Sequence, residues 1–290
     1  MSQEKKSKIL DGKRLANDLN EKLSKKIKKW VKKTKVRPTL ATILVGADPA
    51  SEIYIKIKHR TCEEIGINSV MIKYDQGTDK QQLREKIRQL NQDESIHGIL
   101  LQLPLPDYLK PYTTEFLSLI SPIKDVDGFH PLNRGKLFDY NEDLVACTPK
   151  GIIRLLEHNN VNLKGKDVVI INHSNLVGKP LLFMCLKRDA TVSICHIATK
   201  DLKMYTKQAD IIVVAVGKAK FIKKDMIKKG AVIIDVGINR INGKICGDVD
   251  FDGVYDKCSL ITPVPGGVGP MTVHSLMQNT LITYQKKMDK

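Results

Sequence analysis

The sequence predicts an α/β protein of two domains, each a mainly parallel sheet covered by helices. Short runs of β-branched residues alternate with helical patterns in both halves of the 290-residue chain. These runs are apolar on successive residues, which is typical of parallel strands buried on both faces. Apolar residues make up 42% of the chain and charged residues 28%, the composition of an ordinary globular protein.

The first half begins with an amphipathic pattern. In "NEKLSKKIKKWVKKTKVRP" the apolar residues recur at helical spacing and lysines fill the other positions, which predicts a helix with a solvated basic face. Helices are also predicted near 49–65 and 79–92. Strands are predicted over 39–46, 68–75 and 98–104.

The second half repeats the alternation after "CTPKG" at 147–151, where we place the domain boundary. Its predicted strands are 167–172, 190–196, 210–217 and 230–237. The segment "VVIINHSNLVGKPL" predicts a strand, a tight turn and a helix start, the arrangement that lays a pyrophosphate against free amides. Only Gly178 remains of the usual glycine fingerprint, so this motif alone indicates cofactor binding weakly.

Composition limits the classes of protein, the partners and the metal or disulfide sites that the sequence supports. The net charge of +16 raises nucleic acid as a partner, but no zinc-finger spacing, arginine-glycine tract or aromatic RNA-binding motif accompanies it. The same charge equally suits an anionic small substrate. The six cysteines form no C-x-x-C pair, so we expect neither a metal site nor a disulfide framework. No apolar run is long enough for a signal peptide or a membrane span.

The loop "VGADPAS" leads into the second predicted helix, with Asp48 as its N-cap and Pro49 at its first position. Tyr54 and Lys58 are four residues apart and share a face of that helix, whereas Lys56 points elsewhere. On spacing alone, a solvated lysine beside a partly buried tyrosine explains this pair better than a catalytic group.

Several long segments match one family. The sequence resembles the bifunctional methylenetetrahydrofolate dehydrogenase/methenyltetrahydrofolate cyclohydrolases over nearly its whole length, with the family motifs in the family order. The segments that carry the resemblance are "VGADPASEIYIKIKHRTCEEIGI", "GILLQLPLP", "PIKDVDGFHPLNRGKL", "CTPKGIIRLL", "HSNLVGKPL", "ADIIVVAVGKAKFI", "GAVIIDVGIN", "GDVDF" and "ITPVPGGVGPMT".

The resemblance implies a fold and an activity. A folate-binding catalytic domain would span 1–148 and be completed by a C-terminal helix at 271–290. A Rossmann-like dinucleotide-binding domain would span 149–270, with the active-site cleft between the two. The enzyme would oxidise 5,10-methylenetetrahydrofolate with NAD(P)+ and hydrolyse the product to 10-formyltetrahydrofolate, in one-carbon metabolism and purine biosynthesis. Tetrahydrofolate derivatives would be its partners, and it would be a cytoplasmic homodimer without nucleic-acid or membrane partners.

The resemblance also assigns residues. Lys58 would be the catalytic lysine, Tyr54 the ring that stacks on folate, and Asp127 the group that binds the pterin. Gln102 would contact the reacting end and the lysine. The folate side of the cleft would be lined by Pro265, Gly266 and Gly267. The cofactor would be bound by Asn172, His173, Ser174, Val177, Gly178, Gly217, Gly237 and Ile238. No metal ligand is implied, and we expect His173, His196 and His274 to make packing or polar contacts rather than to act as bases.

The two reactions differ in whether they require a catalytic base. Loss of hydride from the methylene carbon leaves a delocalised cation, so that step requires no base. Hydration of the methenyl carbon does require proton transfers, and Lys58 is the candidate base. A free lysine titrates near ~10.4, but a substrate cation ~4 Å away at an effective dielectric of ~20 opposes its charge by roughly 4 kcal/mol, about three pKa units.

The choice of cofactor stays open. Family members that use NADP carry G-R-S where this chain has Asn172, His173 and Ser174, and a serine where it has Ile197. NADP is favoured on family grounds, with His173 or Lys200 meeting the phosphate, and NAD is the close rival. Two further functions compete with the bifunctional one: a dehydrogenase without cyclohydrolase activity, and a basic nucleic-acid-binding protein with a vestigial dinucleotide fold.

Overall fold

A computed structural model describes residues 8–289 of the chain. Its helices are α1 Gly12–Thr34, α2 Pro49–Ile65, α3 Lys80–Gln92, α4 Thr113–Leu119, α5 Pro131–Phe138, α6 Cys147–His158, α7 Gly178–Leu186, α8 Leu202–Thr206, α9 Phe251–Tyr255 and α10 Val268–Met288. Its strands are β1 Thr39–Val45, β2 Asn68–Tyr74, β3 Gly98–Leu101, β4 Asp167–Ile171, β5 Thr191–Cys195, β6 Ile211–Val214, β7 Val232–Asp235, β8 Asn239–Ile241, β9 Lys244–Cys246 and β10 Leu260–Ile261.

Contacts divide the described chain into two compact units. The first unit consists of residues 17–147 and 273–289, and the second of residues 8–16 and 148–272. Residues 8–16, which the sequence assigned to the first domain, group with the second unit because they extend its sheet. Ile9 forms a parallel bridge with Ile261, and Leu10 N donates to Ile261 O over 2.8 Å.

The first unit is built on a parallel sheet in the order β2-β1-β3. β1 and β3 are buried along their whole length, as their apolar runs predict. For β2 the expectation of burial on both faces is wrong, because Val70 and Met71 are exposed. Apolar clusters that include Leu40 and Ile43 contribute the core of this unit.

The basic segment near the amino terminus forms the predicted amphipathic helix. On α1 the apolar side chains of Leu23 and Ile27 are buried, and Trp30 packs beside the ring of Tyr284. The lysines of the opposite face are exposed: Lys22, Lys25, Lys26, Lys28, Lys29, Lys32 and Lys33. No helix within residues 8–289 has the length and apolar character needed to cross a bilayer.

The second unit contains a five-stranded parallel sheet in the order β10-β7-β6-β4-β5. The chain runs from β4 outward to β5 and then returns to the other side of β4 to form β6. The ends of β4 and β6 therefore define a topological switch point, where open α/β sheets bind their ligands. Several strands are shorter than predicted: β6 stops at Val214 and β7 at Asp235, and β3 of the first unit stops at Leu101. The antiparallel pair β8-β9 was not predicted.

Candidate active site

Lys58 lies on α2, which begins as the sequence predicts. Asp48 is the N-cap, its carboxylate accepts a hydrogen bond from Ser51 N at 2.8 Å, and Pro49 occupies the first turn. The Lys58 side chain is buried, with 6% of the residue exposed, whereas Lys56 on the same helix is exposed. The Lys58 ammonium lies 4.6 Å from the centroid of the Tyr54 ring. The explanation as a solvated surface lysine is therefore wrong.

Gln102 is the partner of that amine. It follows β3 directly, its backbone N–H bonds Ile43 O, and its amide oxygen accepts a hydrogen bond from Lys58 Nζ at 3.0 Å. Its amide nitrogen donates to Leu103 O at 2.6 Å, which fixes the amide orientation. Gln102 therefore presents an uncharged acceptor to the lysine from a rigid strand end.

Asp127 lies in the loop "DVDG", whose two aspartates have different surroundings. Asp125 is buried and accepts hydrogen bonds from His130 N and from Asn133 Nδ2, both at 2.8 Å, so it shapes the loop. Gly128 has φ +70°, and a Cβ there would meet the backbone of Val145 at 2.4 Å. The Asp127 carboxyl interacts with the charge of Lys58 and with the Cys147 thiol. Asp127 was predicted from the sequence, whereas the supporting Asp125 was not.

The amine and the carboxyl perturb each other's protonation. Burial lowers the pKa of Lys58, and the charge of Asp127 partly opposes this. Burial raises the pKa of Asp127 to about 6, and the Lys58 charge opposes that shift. From the sequence, a lowered pKa of Lys58 was expected only from the charge of the bound substrate. The structure adds desolvation as a cause that acts before any substrate arrives.

The turn between β4 and α7 is closed by hydrogen bonds to the side chain of Asn172. Asn172 Oδ1 accepts hydrogen bonds from Ser174 N at 2.9 Å and from Gly178 N at 3.0 Å, while its Nδ2 donates to Ala215 O at 2.7 Å. The Asn172 side chain thus joins the ends of β4 and β6 at the switch point. A Cβ on Gly178 would lie 2.0 Å from Asn172 O, so only glycine permits this approach. Val177, the N-cap position of α7, makes no side-chain cap hydrogen bond.

The other predicted cofactor residues lie at neighbouring strand ends. Gly217 follows β6 with φ +67°, and Gly237 and Ile238 follow β7. The space at Gly237 is taken by Asp248, because an added Cβ would lie 2.1 Å from its carboxyl carbon. A ligand is not needed to explain that glycine. Asp248 was missed by the sequence analysis, and its signal was an aspartate following a glycine in "CGDVD".

The predicted folate-lining loop belongs to the second unit. Pro265 is exposed, Gly266 has φ +107°, and Gly266 O accepts a hydrogen bond from Lys13 N at 2.8 Å. A Cβ on Gly12 would lie 1.8 Å from Gly267 O. The start of α1 therefore packs directly on this loop, a contact between distant parts of the sequence that spacing could not indicate.

The histidines differ in their environments. His274 is buried and its Nδ1 lies 2.7 Å from Asn20 Oδ1, which is a polar packing contact. His173 and His196 are exposed after β4 and β5, with ring centroids 5.0 Å apart. Ile197 beside them is fully exposed. Both imidazoles are therefore available to solutes at the carboxyl edge of the second sheet.

These features define a two-domain α/β enzyme of the nucleotide-dependent class. One unit contains the lysine, amide and carboxyl groups of Lys58, Gln102 and Asp127. The other contains the switch point between β4 and β6, where such sheets bind nucleotides. Residues 10–127 match the family described as tetrahydrofolate dehydrogenase/cyclohydrolase, catalytic domain. Residues 146–288 match its NAD(P)-binding domain. The chain belongs to the tetrahydrofolate dehydrogenase/cyclohydrolase family.

Relatives cover the chain almost completely. It is 52% identical over 275 residues to the bifunctional protein FolD of Methanosarcina barkeri, covering 95% of each chain. A crystal structure of the bifunctional FolD dehydrogenase/cyclohydrolase of Campylobacter jejuni superposes with a TM-score of 0.92 at 48% identity, covering 96% of this chain and 98% of that one. The Trypanosoma brucei FolD, solved with NADP cofactor and an inhibitor, superposes with a TM-score of 0.91 at 32% identity, covering 96% and 97%.

Proposed function

We propose that this protein is a bifunctional enzyme that oxidises 5,10-methylenetetrahydrofolate with NAD(P)+ and hydrolyses the methenyl product to 10-formyltetrahydrofolate. The observation that carries the proposal is the buried Lys58 amine, 3.0 Å from Gln102 Oε1 and coupled to Asp127. The names of the close relatives support both activities. The buried lysine favours this function over a dehydrogenase alone, since hydride transfer leaves it without a task.

The hydrolytic reaction depends on the groups of the first unit. The substrate is the methenyl cation, and its attack by water requires a group that takes up a proton. Burial lowers the pKa of Lys58 toward the useful range, and a bound cation lowers it further. Gln102 orients the amine without adding a charge, Tyr54 offers a ring for stacking, and Asp127 binds the pterin. Pro265, Gly266 and Gly267 complete the folate contacts in this proposal.

The dehydrogenase reaction depends on the second unit. A nicotinamide nucleotide, when bound, supplies the acceptor for the hydride. The residues fit such a group, because Val216 and Ile238 are exposed apolar side chains beside the switch point, at the ends of β6 and β7. In the proposal Ser174, Val177 and Gly178 hold the pyrophosphate end. Gly217, Gly237 and Ile238 hold the nicotinamide end.

NADP+ is proposed as the preferred cofactor. In dinucleotide folds a carboxylate at the end of the second strand binds the ribose 2′-hydroxyl of NAD. Residues 196–200, which follow β5, are His-Ile-Ala-Thr-Lys, and the next residue, Asp201, uses its carboxylate as the N-cap of α8. The exposed His173 and His196 and the nearby Lys200 offer donors to a 2′-phosphate instead. The NADP-bound Trypanosoma relative is consistent with this choice.

Four assays test these proposals. Purified protein should reduce nucleotide with 5,10-methylenetetrahydrofolate and should separately consume methenyltetrahydrofolate. Steady-state rates with NADP+ and NAD+ at equal concentration decide the preference, and a faster rate with NAD+ overturns the cofactor proposal. Salt-dependent retention on DNA or RNA without folate turnover would instead favour the nucleic-acid-binding alternative.

The assembly and location are proposed on family grounds. We infer a homodimer formed through residues of the 149–270 domain, acting in the cytoplasm in one-carbon metabolism and purine biosynthesis. Light scattering of the protein as it elutes from a size-exclusion column measures the molecular mass of the assembly directly. A mass near 32.6 kDa, that of one chain, would refute the dimer.

A further inference from the structure

A fully buried carboxylate, Asp248, lies behind the turns that follow β6 and β7. Its Oδ2 accepts hydrogen bonds from Val216 N at 2.6 Å and from Gly217 N at 3.0 Å. Its Oδ1 accepts from Lys218 N at 2.8 Å and from Asn239 Nδ2 at 2.9 Å. Three consecutive backbone amides and one side-chain amide therefore converge on a single carboxylate with 0% of its residue exposed.

A second carboxylate fixes the first. Asp235, the last residue of β7, accepts hydrogen bonds from Asp248 N at 2.9 Å and from Val249 N at 2.9 Å. It also accepts from Gly237 N at 3.1 Å, so it shapes the turn that follows its own strand. Burial raises the pKa of Asp235 to about 6, which leaves it mostly ionised at neutral pH. The two side chains thus form one network beneath two adjacent strand ends.

The other side of these turns is open. Val216 is 41% exposed and Ile238 is 65% exposed, so two apolar side chains face solvent at neighbouring ends of a parallel sheet. Gly237 leaves the room that the Asp248 carboxylate occupies, because its Cβ would lie between 2.1 and 2.3 Å from the three carboxyl atoms. Exposed apolar side chains therefore lie beside a buried carboxylate that is hydrogen-bonded to the same turns.

We propose that Asp248 is a positioning residue for the nicotinamide cofactor, holding the 216–218 turn and Asn239 so that Gly217 and Ile238 present a fixed surface to the ring. The inference rests on the proposed dehydrogenase function. A carboxylate is suited to this role because it is purely an acceptor and meets four donors. An asparagine in its place would turn an NH₂ group toward backbone N–H groups and would release part of the turn.

The test is the substitution Asp248→Asn, with titration calorimetry of NADP+ and NAD+ in the absence of folate. We expect the dissociation constant for the nucleotide to rise about ten- to a hundredfold, the factor that corresponds to losing one or two of the hydrogen bonds that hold the binding surface. The KM for the nucleotide should rise with it. Cyclohydrolase kcat/KM should stay at the wild-type value, because Lys58, Gln102 and Asp127 lie in the first unit.

The matched control is Asp252→Asn, the same substitution at an exposed position of α9 in the same unit, which should change neither binding nor activity. Asn239→Ala removes one donor to the same carboxylate and leaves the residues proposed to hold the nucleotide unchanged, so it should weaken nucleotide binding in the same direction. It decides the question if Asp248→Asn does not fold. Calorimetry of the wild-type protein distinguishes a failure of the proposed function from a failure of this inference. If the wild-type protein binds no nucleotide, the proposed dehydrogenase function is refuted, not this inference. Wild-type affinity in both variants overturns the inference, as does a parallel loss of both activities that follows the melting temperature.

Discussion

Replacing Lys58 by methionine should abolish the cyclohydrolase reaction and leave folate binding intact. A positioned general base contributes about 10²- to 10⁴-fold to a rate. Loss of the amine should therefore lower kcat for methenyltetrahydrofolate by that factor, equivalent to about 3–5 kcal/mol of transition-state stabilisation. Nucleotide reduction with 5,10-methylenetetrahydrofolate should persist, because loss of hydride needs no base.

The structure also sets the expected cost in stability. Lys58 is 6% exposed and its charge is penalised by burial, so an uncharged side chain of similar length relieves that penalty. Against this, Gln102 Oε1 loses its donor, at a cost of about 1–3 kcal/mol. The two effects oppose each other, and we expect the denaturant midpoint to change little.

The assay follows methenyl consumption by absorbance, and the control is Lys56→Met, the same substitution at an exposed position of α2. Lys56→Met should behave as the wild type in both reactions. A Lys58→Met protein that converts the methenyl compound at close to the wild-type rate would remove the lysine from the mechanism. Equal loss of both reactions would likewise contradict the proposed separation.

Three further predictions concern neighbouring groups. Asp127→Ala should weaken folate binding in both reactions. Because the Asp127 charge raises the pKa of Lys58, the acid limb of the pH–rate profile of the cyclohydrolase should also move to lower pH. An unchanged KM and kcat for folate would refute the proposed role of Asp127 in folate binding. Burial lowers the pKa of His97 from 6.5 to about 4, so between pH 6.5 and pH 4 the folded state binds fewer protons than the unfolded state. About 3 kcal/mol of unfolding free energy should therefore be lost as the pH falls through this range. Denaturant titrations should show a smaller loss over the same range in His97→Gln. Lys124→Met should cost about 2–3 kcal/mol, because Lys124 Nζ bonds the carbonyls of Leu90, Asn91 and Asp93 at the end of α3; an unchanged urea midpoint contradicts this cap.

Much of the fold was predictable because hydrophobic periodicity is a local property. The apolar runs located β1 and β4, and the capping residues Asp48 and Pro49 located the start of α2. Strand ends were predicted less well. β6 stops where the chain turns to meet Asp248, which is 32 residues beyond Val216, so no pattern local to β6 reports that partner. β7 stops at Asp235, whose own carboxylate accepts a hydrogen bond from Gly237 N two residues later.

For the candidate site too, some features follow from the local sequence and others depend on the tertiary structure. Helical spacing by itself determined that Tyr54 and Lys58 share a face, and motif order determined the family expectation. Only the tertiary structure decided that this face is buried, with Gln102 from a strand end 44 residues away as the lysine's partner. The physical reason is that side-chain direction follows from backbone periodicity, whereas desolvation, and with it the pKa of an amine, depends on which other segments pack against it.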